Sequence, residues 1–143
     1  MAEYISNAVQ EVEAGQNILL DDSNPCTRGL IMHEAGAGVF TLRGPALGSC
    51  NRFSRYQVEC NCNIAIPTDG TADEISIAVA TAGEIIQSSR ARVTPTVTNA
   101  YFNVTTIKQI DVPSGCCRNI AIENASNQAI NVQNVNLTIS RIA

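Results

Sequence analysis

Six cysteines, one histidine and two pairs of arginines are the side chains of this 143-residue chain whose types and spacing could do chemistry. The cysteines fall at Cys26, Cys50, Cys60, Cys62 and the adjacent Cys116 and Cys117. Such residues form disulfides, ligate metals, or pack silently as small hydrophobes. In Val58–Ile66 the even positions read Val, Cys, Cys, Ile, Ile, and the odd positions read Glu, Asn, Asn, Ala. A strand sends alternate residues to opposite faces, so Cys60 and Cys62 share the apolar face with Val58 and Ile64. They read as core thiols. A Cys60–Cys62 bridge would fight extended geometry, because residues two apart on a strand are ~6.6 Å apart, at the edge of what a disulfide accepts. Cys116 and Cys117 point opposite ways in any extended segment, so at most one joins the core. Cys26 and Cys50 lie in loops and are free to pair. Zinc sites favour paired C-x₂₋₄-C clusters, which C-x-C plus C-C does not supply. Buried thiols are the favoured reading, then a disulfide, then a metal. No cofactor is implied.

His33 falls on a predicted strand beside Glu34, but adjacent strand residues face opposite sides. It reads as a partly exposed structural histidine rather than a general base. No nucleophile elbow, zinc-protease helix motif or phosphate loop is present, so an enzyme is not expected. Asp73-Glu74 reads as a solvated strand start rather than a calcium site, which needs six to eight oxygens. Arg90 and Arg92 share one strand face, and Arg52 and Arg55 sit near another strand start. Arginine favours interface ion pairs, so these four are candidates for a subunit boundary, with simple solubility as the competing reading.

These side chains must be positioned by strands. Sixteen Ile and eleven Val stand against six Leu, and β-branched residues pack well on a pleated surface. Ile75, Ile77 and Val79 alternate with Ser76, Ala78 and Ala80. The expected fold is an all-β antiparallel sandwich of about 8–10 strands, with no room for a helix. Residues 1–15 read as an N-terminal arm and 16–143 as one domain. Strands are predicted at about 16–21, 28–34, 39–43, 55–66, 73–81, 84–92, 100–112, 118–123 and 130–142. Asp22-Ser23-Asn24-Pro25 reads as a turn, and Val93–Thr98 as a loop or edge. In the last strand Ile130 and Val132 are in one phase and Val135, Leu137 and Ile139 in the other. That phase break at Asn134 predicts a bulge or bend.

The formal net charge is −4, with eight Arg and the single Lys108. An acidic balance argues against nucleic acid as a partner, because such binding needs a basic stripe. No apolar stretch approaches the ~20 residues that span a bilayer, so no membrane partner is expected. The N-terminus lacks the pattern of a signal peptide, which predicts synthesis in a cytosol. Only 15% of residues are charged, against ~25–35% for a self-sufficient surface. Partner chains are therefore expected to cover part of it.

The short strands, the hairpin Ala78-Val79-Ala80-Thr81-Ala82-Gly83-Glu84 and the stretch from Val112-Pro113-Ser114-Gly115 to Ile142 resemble the tumour necrosis factor/complement-like jelly-roll family. Ala82 stands where that family often carries Asn. The opening Met1–Gln10, Thr41-Leu42-Arg43-Gly44 and Gln128–Val132 are similar to small proteins of phages and prophages of gut Firmicutes. The resemblance implies a jelly roll and a homotrimer packed through one sheet about a threefold axis. It implies a virion structural protein, either a capsid decoration protein or a small surface spike, made in the host bacterial cytoplasm. The arm or one end of the sandwich would bind the major capsid protein or another virion protein. The alternatives are a carbohydrate- or receptor-binding jelly roll using Phe53 and Tyr56 or Tyr101 and Phe102, and a host spore-surface trimer. Few aromatics and no secretion signal put a receptor-signalling role in doubt.

Overall fold

The computed structural model describes residues 1–26 and 28–143. Its strands are β1 (Ala2–Ser6), β2 (Gln10–Val12), β3 (Asp21–Asn24), β4 (Ile31–His33), β5 (Phe40–Arg43) and β6 (Phe53–Ala65). They continue as β7 (Ile75–Thr81), β8 (Glu84–Ile85), β9 (Ala91–Val93), β10 (Phe102–Pro113), β11 (Cys117–Asn124) and β12 (Ile130–Arg141). Eight of these segments have four or more residues, and β2, β4, β8 and β9 are two- or three-residue additions. Two antiparallel sheets result. Sheet I runs β10-β6-β12-β1-β3, with β2 also on β12; sheet II runs β4-β5-β11-β7-β8, with β9 also on β7. This is the antiparallel sandwich that the alternating pattern predicts, with the jelly-roll topology that the resemblance implies.

The core lies between the sheets and follows from the period of two. Tyr56, Val58, Cys60, Cys62 and Ile64 from β6 face Ile75, Ile77 and Val79 from β7, all fully buried. Ile130, Val132, Val135, Leu137 and Ile139 complete it from β12. The phase break in β12 is a bulge. Gln133 pairs with Asn63 and Asn136 with Asn61, so β12 spends one more residue than β6 over that span. Asn134 sits there at φ 51°, a left-handed conformation that Asn tolerates better than most residues.

Four expectations need correction. Residues 1–15 are not an arm: β1 lies inside sheet I, hydrogen-bonded to β12 on one side and β3 on the other, and Ala2 and Tyr4 are buried. The firm strand expected at 16–21 is displaced. Asn17 makes only an isolated bridge to Glu123, while Asp21–Asn24, of which Asp22–Asn24 read as part of a turn, pairs with β1 as β3. The continuous strand expected at 84–92 is broken by a three-residue 3₁₀ turn, Gln87–Ser89. The Ser89 hydroxyl accepts from the Val79 N–H at 2.9 Å and bonds the Ile86 carbonyl at 2.7 Å. A buried side chain thus takes over a bond that strand pairing would supply. Finally, the His33 side chain is not partly exposed but 1% accessible.

Candidate self-association face

The outer face of sheet I is built by the residues that alternate with the core. Strand pairing sets them in rows. Asn103, Asn63 and Gln133 form one row; Thr105, Asn61, Asn136 and Ile5 form the next. Then come Ile107, Glu59, Thr138 and Glu3, followed by Gln109, Gln57 and Ser140. Asp111 beside Arg55 closes the face at one end.

The side chains of these rows order one another. Asn103 Nδ2 donates to Asn63 Oδ1 at 3.0 Å, and Thr105 Oγ1 donates to Asn61 Oδ1 at 2.9 Å. Thr138 Oγ1 donates to Asn136 Oδ1 at 3.2 Å, and Asn136 Nδ2 donates to Glu3 Oε2 at 3.2 Å. Ser23 on β3 donates to the other Glu3 oxygen at 3.0 Å. Cross-strand pairs of this kind hold rotamers before any partner arrives, which lowers the entropy cost of association. Across β10, β6, β12 and β1 only four outward residues in these rows are ionisable: Glu3, Arg55, Glu59 and Asp111. Arg55 and Asp111 neutralise each other through two bonds of 2.7 and 3.0 Å. Those bonds raise the Arg55 guanidinium and lower the Asp111 carboxyl from their ordinary values. Arg55 also lies over the Phe53 ring, 5.1 Å from its centroid. Ile107, 54% exposed, is the main apolar point of the face. The arrangement offers shape and matched hydrogen bonds, with a net charge of −2 left by Glu3 and Glu59.

The four arginines do not converge. Arg52 and Arg55 lie at the end of the sandwich that carries Phe53. There the Arg52 carbonyl accepts from Ser114 N at 2.9 Å. Arg90 and Arg92 lie at the opposite end, beside the start of β7. Arg90 is half-buried and donates to the Ala125 carbonyl at 3.0 Å. Arg92 reaches Glu74 at 3.7 Å. Of the four, Arg55 alone belongs to the rows of the face, and it is paired within its own chain.

Cys60 and Cys62 are fully buried on the inner side of the same strand. Their mutual hydrogen bond and burial hold the Cys60 thiol well above its ordinary value. Cys50, Cys116 and Cys117 are exposed. The native protein is therefore expected to alkylate at Cys50, Cys116 and Cys117 while Cys60 and Cys62 stay unmodified, as read by peptide mass mapping. Fast modification of Cys60 would contradict this packing. Among the described residues no three His, Cys, Asp or Glu side chains cluster at metal distance. The proposed aromatic platform of Phe53 and Tyr56 fails on one member. Tyr56 is fully buried, and its hydroxyl donates to the Arg43 carbonyl, so it cannot stack on a ligand.

No local pattern in the sequence assembles this face. Its signal was available in Gln57, Glu59, Asn61 and Asn63, and in Asn131, Gln133, Asn136 and Thr138. These partners of the apolar positions are almost all uncharged amides and hydroxyls, where a solvated face usually carries Lys and Glu.

No protein-family model matches the chain, and no curated protein matches it. Solved structures do. Murine APRIL, in a crystal structure at pH 5.0, superposes with a TM-score of 0.67 at 9% identity, covering 99% of this chain and 97% of that one. The Eiger TNF of S. frugiperda gives 0.64 at 11% identity over 99% and 91%. The globular domain of a zebrafish complement 1qA protein gives 0.50 at 9% identity over 96% of each. At such identities the likeness establishes the fold: a jelly roll of the tumour necrosis factor and complement kind.

Proposed function

We infer that this protein is a structural building block of a phage virion, a homotrimeric decoration protein or small spike on the capsid surface. The observation that carries the reading is the outer face of sheet I: ordered, hydrogen-bonded and built mostly of uncharged amides and hydroxyls, with Glu3 and Glu59 as its acids outside the Arg55–Asp111 pair. A surface of that kind suits burial against copies of itself. The low overall charge and the resemblance of residues 1–10 and 128–132 to phage-encoded proteins support the virion setting.

With residues 1–15 woven into sheet I, the capsid contact passes to one end of the sandwich. The end that carries Phe53 is the better candidate. Leu47, 80% exposed, packs over Gly115 there, and Phe53 and Ile142 are exposed beside it. Three exposed apolar side chains gathered at one end of the sandwich suit a hydrophobic foot against the major capsid protein or another virion protein.

Light scattering is expected to give three times the chain mass of 15.2 kDa, and fractionation is expected to find the protein on assembled particles. A monomer at micromolar concentration would overturn the trimer. Confinement to host lysate, never with particles, would overturn the virion role.

A further inference from the structure

The outer face of sheet II holds an apolar concavity of about 250 Å³. Ile120 and Ile122 of β11, and Ile77 and Val79 of β7, point into the core. Ala121 and Glu123, with their partners Ala80 and Ala78, therefore point outward. Ala80 and Ala121 make the floor of the concavity. Asn17 and Val39 stand on one side of it, and Asn119 and Ala82, at the tip of the β7–β8 hairpin, on the other.

Glu123 is the next outward residue of β11 after Ala121, and it stands directly opposite Asn17. It is only 8% exposed. Burial raises its carboxyl above the ordinary value, and neither a hydrogen bond nor a neighbouring cation offsets that. An ionised carboxyl withdrawn from water without a partner is costly, and the described residues supply no partner. Arg90, which strand register sets beside Ala78, donates instead to the Ala125 carbonyl at 3.0 Å. Gly15 leaves the carboxylate uncovered, since a Cβ there would lie 4.0 Å from Glu123 Oε1.

We propose that this concavity and Glu123 together form a docking site for a lysine side chain of a partner protein. The apolar stem of lysine suits the alanine floor and the Val39 wall, and its ammonium suits a carboxylate at the end of that floor. Asn17 adds a side-chain oxygen as a second acceptor. A compact ammonium fits a mostly buried carboxylate better than the planar fork of arginine, which pairs best with both oxygens side by side. The occupant comes from another protein rather than a second copy. The chain has one lysine, and Lys108 Nζ is engaged with Ser88 Oγ at 2.8 Å. The site lies on the sheet opposite the proposed self-association face and does not rest on the virion reading.

Amide NMR of the full chain tests the site. The probe is an end-capped Gly-Gly-Lys-Gly-Gly peptide, set against the same peptide with norleucine in place of lysine. The lysine peptide is expected to shift the amides of Asn17, Ala80 and Ala121 and to saturate in roughly the millimolar range, which is what one side chain can supply. The norleucine peptide should give no saturable shift. Glu123→Gln removes the charge and keeps the shape, and it should weaken lysine binding about tenfold or more. Ala121→Leu fills the floor and should weaken binding as well, which keeps the test decisive if Glu123→Gln does not fold. Equal shifts from the two peptides, or unaltered lysine binding in either variant, would overturn the site. Tighter binding of the matching arginine peptide would overturn the choice of lysine. Tighter binding of free pentylamine than of the lysine peptide would overturn docking of a protein partner.

Discussion

Replacing Asn124 by leucine is expected to destabilise the fold by about 3 kcal/mol or more, a large part of the ~5–15 kcal/mol that holds a domain together. Asn124 is fully buried at the end of β11. Its Nδ2 donates to the carbonyls of Val12 and Gln128, both at 2.9 Å, and its Oδ1 accepts from Ser126 N at 2.9 Å. One carboxamide therefore ties the end of β2 to the loop between β11 and β12. Its backbone adds two more ties, accepting from Gly15 N at 3.0 Å and donating to the Gln16 carbonyl at 2.9 Å. Leucine keeps the volume but satisfies none of the three side-chain bonds. It leaves the buried Val12 carbonyl without a partner, at about 1–3 kcal/mol, and strips the half-buried Gln128 carbonyl and Ser126 N–H of theirs. Asn127→Ala, three residues along the same loop, should stay within about 0.5 kcal/mol. Urea denaturation checks both. A loss below 1 kcal/mol in Asn124→Leu would mean that water replaces the carboxamide.

The same residues show what a single chain reveals and what it hides. The alternation in β6, β7, β10 and β12 is legible because each buries one face and exposes the other, which fixes period and register together. Cys60 and Cys62 fall inward by that rule alone, and the bulge at Asn134 shows as a slip of the same rule. β1 and β3 were illegible for different reasons. β1 has five residues, and their partners in β12 lie 129 to 137 positions away, so no local pattern announces the pairing. β3 is Asp-Asp-Ser-Asn with no buried residue. Its composition favours a turn, and it becomes a strand because β1 offers an open edge and His33 offers Asp22 a partner. The face of sheet I falls between these cases. Each of its residues is legible as outward, but the rows exist only once the strand order β10-β6-β12-β1 is known.

That strand order supplies the sharpest test of the proposed assembly. Asn61→Arg is expected to abolish self-association while leaving a folded monomer. Asn61 is exposed and outward on β6, with Thr105 on one side and Asn136 on the other. The substitution removes the bond from the Thr105 hydroxyl, which is solvent-accessible and costs the single chain little. In a trimer the effect is of another order. A threefold arrangement places three long, charged guanidinium groups in an interface packed around an asparagine, where their bulk and desolvation oppose docking. Like charges brought together across an interface cost several kcal/mol, and each 1.4 kcal/mol is a factor of ten in affinity. Thr41→Arg, on the outer face of sheet II, serves as the control. It removes a comparable bond, from Thr41 Oγ1 to Asn119 Oδ1 at 2.8 Å, and adds the same charge to the opposite sheet. Light scattering should read the chain mass for Asn61→Arg and the unaltered assembly for Thr41→Arg, with both melting as cooperatively as the parent. If Thr41→Arg dissociates the protein and Asn61→Arg does not, the copies meet through sheet II, and the ordered amide rows of sheet I face something other than their own kind.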